Sequence, residues 1–132
     1  MQTLKNHKLP LLVLLLTWGL YFIALFSRLL FFENGAMFVG HEHAWSDWPL
    51  HIAMSSIFAY QPMELWFEHH PMYAHGGLRY TFLTNLISGI LLKAGLSLEM
   101  AFALPSIAFA LLLIVGIYTL FYLVLHLSLI HI

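Results

Sequence analysis

LPLLVLLLTWGLYFIALFSRLLFF, Leu9 to Phe32, and AFALPSIAFALLLIVGIYTLFYLVL, Ala101 to Leu125, decide the fold. A helix crosses the hydrocarbon of a bilayer with about 20 apolar residues, and each run is long enough. Between them the chain changes character. His41 to Arg79 holds six of the nine histidines, four of the six acids and three of the four tryptophans. The contrast reads as an integral membrane protein that keeps its chemistry in one segment outside the bilayer. Ionisable groups gathered beside a membrane point to a site there.

Composition agrees. Charged residues make up 8% and apolar residues 61%, with a mean hydropathy of +0.86, where soluble domains run near 25% and about 45–50%. The net charge of −1 provides no basic stripe to neutralise phosphates, which argues against nucleic acid as a partner. With no cysteine in the chain, disulfides, iron–sulfur clusters and thiolate zinc sites are excluded.

Lys5, His7 and Lys8 precede the first run, and Pro10 suits a first helical turn. The run lacks a small-residue cleavage site and carries Trp18, Tyr21, Phe22 and Phe26, so it reads as an uncleaved signal anchor rather than a signal peptide. Positive charge on its near flank puts the N-terminus in the cytoplasm and the following loop outside. Arg28 sits near the far end, where its stem can reach the headgroups. Residues 80–96 would return inward, residues 95–99 would turn, and residues 101–125 would cross outward, with Pro105 in the first turn of that helix. The expected architecture is all-α and integral to the membrane: three transmembrane helices at about 9–32, 80–96 and 101–125. A large extracytoplasmic loop, 33–79, carries short interfacial helices.

The last six residues, Leu-Ser-Leu-Ile-His-Ile at 127–132, read as the in-frame translation of the transposase end sequence used in fragment sequencing libraries. Residues 1–126 are therefore expected to be the N-terminal part of a larger multi-span domain, and 127–132 to be adaptor read-through.

Within the loop, Ser46-Asp47-Trp48-Pro49 announces a helix over about Trp48 to Ala59, with Ser46 or Asp47 as cap and Pro49 in the first turn. Asp47, His51 and Ser55 recur at i, i+4 and i+8, a single stripe. Trp48, Ile52 and Phe58 fall on other faces, suiting a helix that lies on the membrane surface with aromatic anchors. Asp47 reads equally as an N-cap, worth about 1 kcal/mol, or as a reactive carboxylate, with His51 as its hydrogen-bond partner. His41-Glu42-His43 lacks the spacing of a helical zinc motif, although on a strand His41 and His43 would share a face.

Glu64 and Glu68 stand one turn apart on a short helix expected to end before Pro71. Gly76 and Gly77 permit tight turns, and Arg79 sits where a guanidinium can meet a lipid or sugar phosphate. Interfacial anchoring by Arg79 and Tyr80 is the plainer reading of that pair. Thr81, Thr84, Asn85 and Ser88 form a polar stripe that should face helices or a cavity rather than lipid.

Taken together, the signal anchor, the segment Trp45-Ser46-Asp47-Trp48-Pro49-Leu50-His51, the interfacial helix and the return through Pro71 and Leu78-Arg79-Tyr80-Thr81-Phe82-Leu83 resemble the N-terminal part of GT-C fold integral-membrane glycosyltransferases. The likeness is to bacterial members of the dolichyl-phosphate-mannose and aminoarabinose transferase type, over roughly Leu9 to Leu125. The resemblance implies transfer of a sugar from a polyprenyl-phosphate carrier to an acceptor on the outer face of the bacterial cytoplasmic membrane. An acid in the first outer loop serves such enzymes as catalytic base or as holder of a divalent metal, and Asp47 matches it. Arg79 would then face the leaving phosphate, with Tyr80 and Asn85 beside the substrate. The family often shows two neighbouring acids, whereas Asp47 stands between Ser46 and Trp48. A Mg or Mn ion would have to draw on Glu42 as well as Asp47. His51 as the group that orients Asp47 follows from helical spacing, not from the family. Grooves of this kind are completed by later helices, so the chain alone is expected to be inactive.

Two other classes compete. A multi-span transporter should carry its ionisable groups near the bilayer midplane and often shows internal repeats, and neither is visible here. A non-catalytic membrane subunit would leave Asp47 and His51 facing lipid or open solvent.

Overall fold

The computed structural model describes residues 8–40, 46–73 and 75–130, with side chains as far as Leu125. The described chain is mostly helical, with one two-stranded sheet. The first apolar run forms α1, Lys8–Phe26, 19 residues without a buried side chain. At 1.5 Å per residue it is about 28 Å long, close to the hydrocarbon thickness of about 30 Å. The last run belongs to α4, Leu98–Ile130, whose span-length portion is Leu98–Leu125. Only 6% of the most apolar window of α1 is covered by protein, and none of that of α4. Two long apolar helices left this uncovered suggest association with a membrane. Two of their hydroxyls bond within the helices, Thr17 donating to the Val13 carbonyl at 2.8 Å and Thr119 to that of Val115 at 2.7 Å, which suits a hydroxyl on an apolar helix face. Two helices are thus long and apolar enough to cross a membrane.

The expected helix through Phe32 stops early, and the chain is not all-α. Leu30–Glu33 (β1) pairs antiparallel with Ala36–Val39 (β2), Leu30 opposite Val39 and Glu33 opposite Ala36. The cause is Asn34-Gly35, with φ of +51° and +79°. Two successive left-handed residues make the tight turn whose twist matches paired strands, and Asn-Gly is its preferred sequence. Phe31 stacks on Phe38 across the pair, ring centres 5.6 Å apart. Arg28 lies in the exposed turn between α1 and β1 rather than near the end of a longer helix.

Helix α2 runs Trp48–Tyr60, one residue past the expected end. Its role differs from a surface anchor, because Phe58 is 1% exposed and packs with Met54 and Leu78. Trp66 meets the Phe58 ring edge-on at 5.3 Å and Phe82 lies at 6.1 Å. Trp48 sets its ring edge-on to Phe102 at 5.2 Å. The apolar side of α2 finds a protein core, and an aromatic there is worth more buried than at an interface. The expected helix bearing Glu64 and Glu68 shrinks to one 3-10 turn, Met63–Leu65, opened by Pro62 and followed by turns.

Residues 80–96, expected to cross the bilayer, supply α3, Leu83–Lys93, only 11 residues long. Such a helix reaches about 16 Å, half the hydrocarbon thickness. It packs against α2 at Gly89, where a Cβ would lie 2.6 Å from the Phe58 Cβ and 2.8 Å from the Ser55 carbonyl oxygen. Asn85 and Ser88 of the predicted polar stripe face this contact and are buried, whereas Thr81 and Thr84 are exposed. The helix closes with Leu96 N–H bonded to the Leu91 carbonyl at 3.1 Å and Gly95 N–H to that of Leu92 at 2.9 Å, Gly95 taking φ +93°. This is the double bond of a left-handed helix stop. Ser97 then caps α4, its hydroxyl accepting from Met100 N–H at 3.4 Å. Ala101, fully buried, joins Ala59 and Leu92 in a second small core. Pro105 sits inside α4, beyond the first turn where it was expected. The chain's two compact units divide at that proline: Ser27–Pro105 form one, and α1 with the part of α4 from Ser106 onward forms the other.

Candidate functional site

The polar residues of the α2–α3 contact form the first half of the site. His51 and Ser55 stand one turn apart on α2, opposite Asn85 and Ser88 on α3. Ser55 is fully buried and Asn85 and Ser88 are each 2% exposed, while His51 is half-buried. His51 Nδ1 lies 3.2 Å from Asn85 Oδ1, and the Asn85 amide nitrogen points to Met54 Sδ at 3.9 Å. An amide oxygen only accepts, so in this arrangement the imidazole proton sits on Nδ1 and the lone pair on Nε2. A histidine fixed this way can take up a proton at Nε2. The Tyr80 ring lies with its centre 6.4 Å from that of His51. Among the described residues Ser55 Oγ has no hydrogen-bond partner.

Asp47 occupies the cap position of α2 but does not act as a cap. Its backbone is helical (φ −88°, ψ −24°) and its carboxylate makes no capping hydrogen bond. A cap side chain takes the N–H of the second or third helical residue, and Pro49 has removed the first of these. The anticipated side-chain pairing of Asp47 with His51 is replaced by a backbone bond, His51 N–H to the Asp47 carbonyl at 3.2 Å, with the ring turned to Asn85. Asp47 is exposed at the end of the helix, one turn from the imidazole.

Arg79 belongs to a second place. It lines an open pocket of about 480 Å³ with His70, Tyr73, His75, Gly76 and Gly77. The loop that forms it is tied at its neck by Leu78 N–H to the Phe67 carbonyl at 3.1 Å, and again by His70 N–H to the Gly76 carbonyl at 2.8 Å. A Cβ on Gly77 would stand 2.9 Å from the Phe67 oxygen, so only glycine allows that closure. His70 Nδ1 accepts the Met72 N–H at 3.2 Å.

The residues expected to bind substrate therefore separate, Tyr80 and Asn85 joining His51 while Arg79 joins His70, Tyr73 and His75. Met54 as the second partner of Asn85, and His70, Tyr73 and His75 as polar residues sharing the pocket with Arg79, were not foreseen. Gly76-Gly77 was the available signal for the pocket, since paired glycines after a proline turn mark a loop folded back on itself. Glu42, proposed with Asp47 for a metal, lies outside the described residues, as do His41, His43 and Trp45. Among the described residues no group of three or more His, Asp or Glu side chains is arranged to hold a metal ion.

Comparison with known proteins returns nothing: no family model, curated protein or solved structure matches this chain.

Proposed function

We propose that this chain belongs to a bacterial inner-membrane glycosyltransferase that moves a sugar from a polyprenyl-phosphate carrier to an acceptor on the extracytoplasmic face. The observation that carries the reading is the free carboxylate of Asp47, exposed at the end of α2 and released from capping. In the reaction Asp47 accepts the acceptor's hydroxyl proton as that oxygen attacks the anomeric carbon. The bond from the anomeric carbon to the phosphate oxygen breaks, and the lipid phosphate leaves with the electron pair. Arg79 stabilises the charge on that phosphate. His51 takes a supporting part, its Nε2 open to receive a proton one turn from Asp47. A divalent Mg or Mn ion would draw on Asp47 with Glu42.

The helix lengths bear on topology. With the N-terminus cytoplasmic and α3 too short to cross, α1 and α4 carry the two crossings and residues 27–97 stay at the outer surface. A non-catalytic membrane subunit is the reading that an inert Asp47 would favour. Membranes containing the full-length protein are assayed for polyprenyl phosphate released from a panel of polyprenyl-phosphate sugars, with wild type set against Asp47→Asn. Release by wild type that collapses in the variant at equal expression supports the transferase. Equal release in both removes Asp47 from catalysis.

A further inference from the structure

We propose that the open pocket on the Phe67–Leu78 loop is an anion site for a phosphate ester, with Arg79, His70, His75 and Tyr73 as its donors. Among the described residues no acidic side chain lines it and no carboxylate lies within ion-pair distance of Arg79. The guanidinium is permanently charged and offers a planar fork of N–H groups matched to phosphate oxygens.

The tautomer of His70 decides between an anion and a cation. Its Nδ1 accepts the Met72 N–H, so the ring proton lies on Nε2. An Nε2–H is a donor to an oxyanion and has no lone pair to offer a metal. Arg79 beside it repels a cation as well. His75 adds a second imidazole and Tyr73 a hydroxyl. Four side chains with N–H or O–H groups line one pocket, and a tetrahedral anion accepts from more directions than a planar carboxylate. At about 480 Å³ the pocket exceeds what a phosphate alone needs and leaves room for the esterified group. Its closure by Gly77 against the Phe67 carbonyl fixes the backbone of the loop without a ligand.

The inference rests on the transferase reading only for the place of Arg79 beside a phosphate. Its test involves no turnover, so the two fail separately. The full chain in phosphatidylcholine nanodiscs is titrated with inorganic phosphate by calorimetry. A parallel arm measures its binding to phosphatidylcholine vesicles with and without phosphatidic acid. Wild type should bind phosphate, the acidic vesicles, or both, in a saturable manner. A response to inorganic phosphate assigns a soluble ester, and a response confined to phosphatidic acid assigns a lipid headgroup. Arg79→Gln should weaken that binding by about tenfold or more, the loss expected for one charge-assisted contact. His75→Gln should weaken it less, and Arg79→Lys should retain part of it. Arg28→Gln, in the exposed turn after α1, serves as the control for general charge and should leave it unchanged. Equal affinity in wild type and Arg79→Gln, with matching circular dichroism, overturns the proposal, as does an absence of saturable binding in both arms.

Discussion

Asn85 is the residue on which the α2–α3 contact turns. It is 2% exposed and its amide serves His51 on one side and Met54 on the other. Asn85→Ala leaves an imidazole N–H facing a cavity, and the variant should lose about 2–3 kcal/mol of stability, read as a lowered Tm of the detergent-solubilised protein. His51→Ala should cost less, because that side chain is only half-buried and water can replace part of what is lost. Asp47 gives the opposite expectation. An N-cap side chain replaced by alanine costs about 1 kcal/mol, but the Asp47 carboxylate bonds to no N–H of α2. Asp47→Ala should therefore move stability by less than about 0.5 kcal/mol, within the range of ordinary surface substitutions. A Tm loss matching a full cap would show the carboxylate engaged in solution and would weaken its case as a free base. Spacing alone could not decide whether Asp47 caps α2, which depended on its backbone angle and on the N–H that Pro49 lacks.

At the scale of elements, Gly89 governs how closely α2 and α3 approach. A methyl there meets the Phe58 Cβ and the Ser55 carbonyl, neither at the end of a flexible side chain. Overpacking of this sort costs about 1–3 kcal/mol, against about 1 kcal/mol of helix propensity gained on replacing glycine. Gly89→Ala should thus be net destabilising by about 1–2 kcal/mol in a thermal melt, and Gly89→Leu more so. A rise in Tm for Gly89→Ala would mean that the helices sit farther apart. Helix α2 was legible in the sequence almost to the residue, because Ser46-Asp47-Trp48-Pro49 carries its own start signal. The β1–β2 hairpin was not read, although Asn34-Gly35 is a strong local turn signal, because an unbroken apolar run through Phe32 suggested a longer helix. Hydrophobicity measures where residues prefer to be, and strand and helix share that preference. The candidate site was legible by half. Asn85 could be marked as facing helices or a cavity from its stripe, whereas His51 was read as the partner of Asp47, and that His51 and Asn85 face each other is a fact of tertiary packing. The pocket around Arg79 needs a loop closed by Gly77 on Phe67, a contact between residues ten apart that no local pattern reports.

For the whole molecule the open quantity is the number of crossings, and two forces oppose each other. Three crossings would return Lys93 to the cytoplasm, as the positive-inside bias favours. That arrangement asks an 11-residue α3 to cover about 30 Å, so extended backbone on its flanks would lie in hydrocarbon. Each unsatisfied peptide group there costs several kcal/mol. It would also carry α2 into lipid, since α2 and α3 share the core of Met54, Phe58, Leu78, Phe82 and Leu86. One lysine cannot offset several unsatisfied peptide groups, so two crossings are favoured. Fusions to alkaline phosphatase and to green fluorescent protein, joined after Pro62 and after Leu125, separate the cases. With two crossings the fusion after Pro62 shows phosphatase activity and the one after Leu125 shows fluorescence, placing the end of α4 in the cytoplasm. Phosphatase activity at both positions would restore the third crossing and require α3 to lengthen in the bilayer. The same pair of fusions fixes the side on which Asp47 and Arg79 work, because both lie in the unit that contains Pro62. Fluorescence after Pro62 would put them in the cytoplasm, where a soluble nucleotide-linked sugar rather than a polyprenyl-phosphate sugar would be the donor to test.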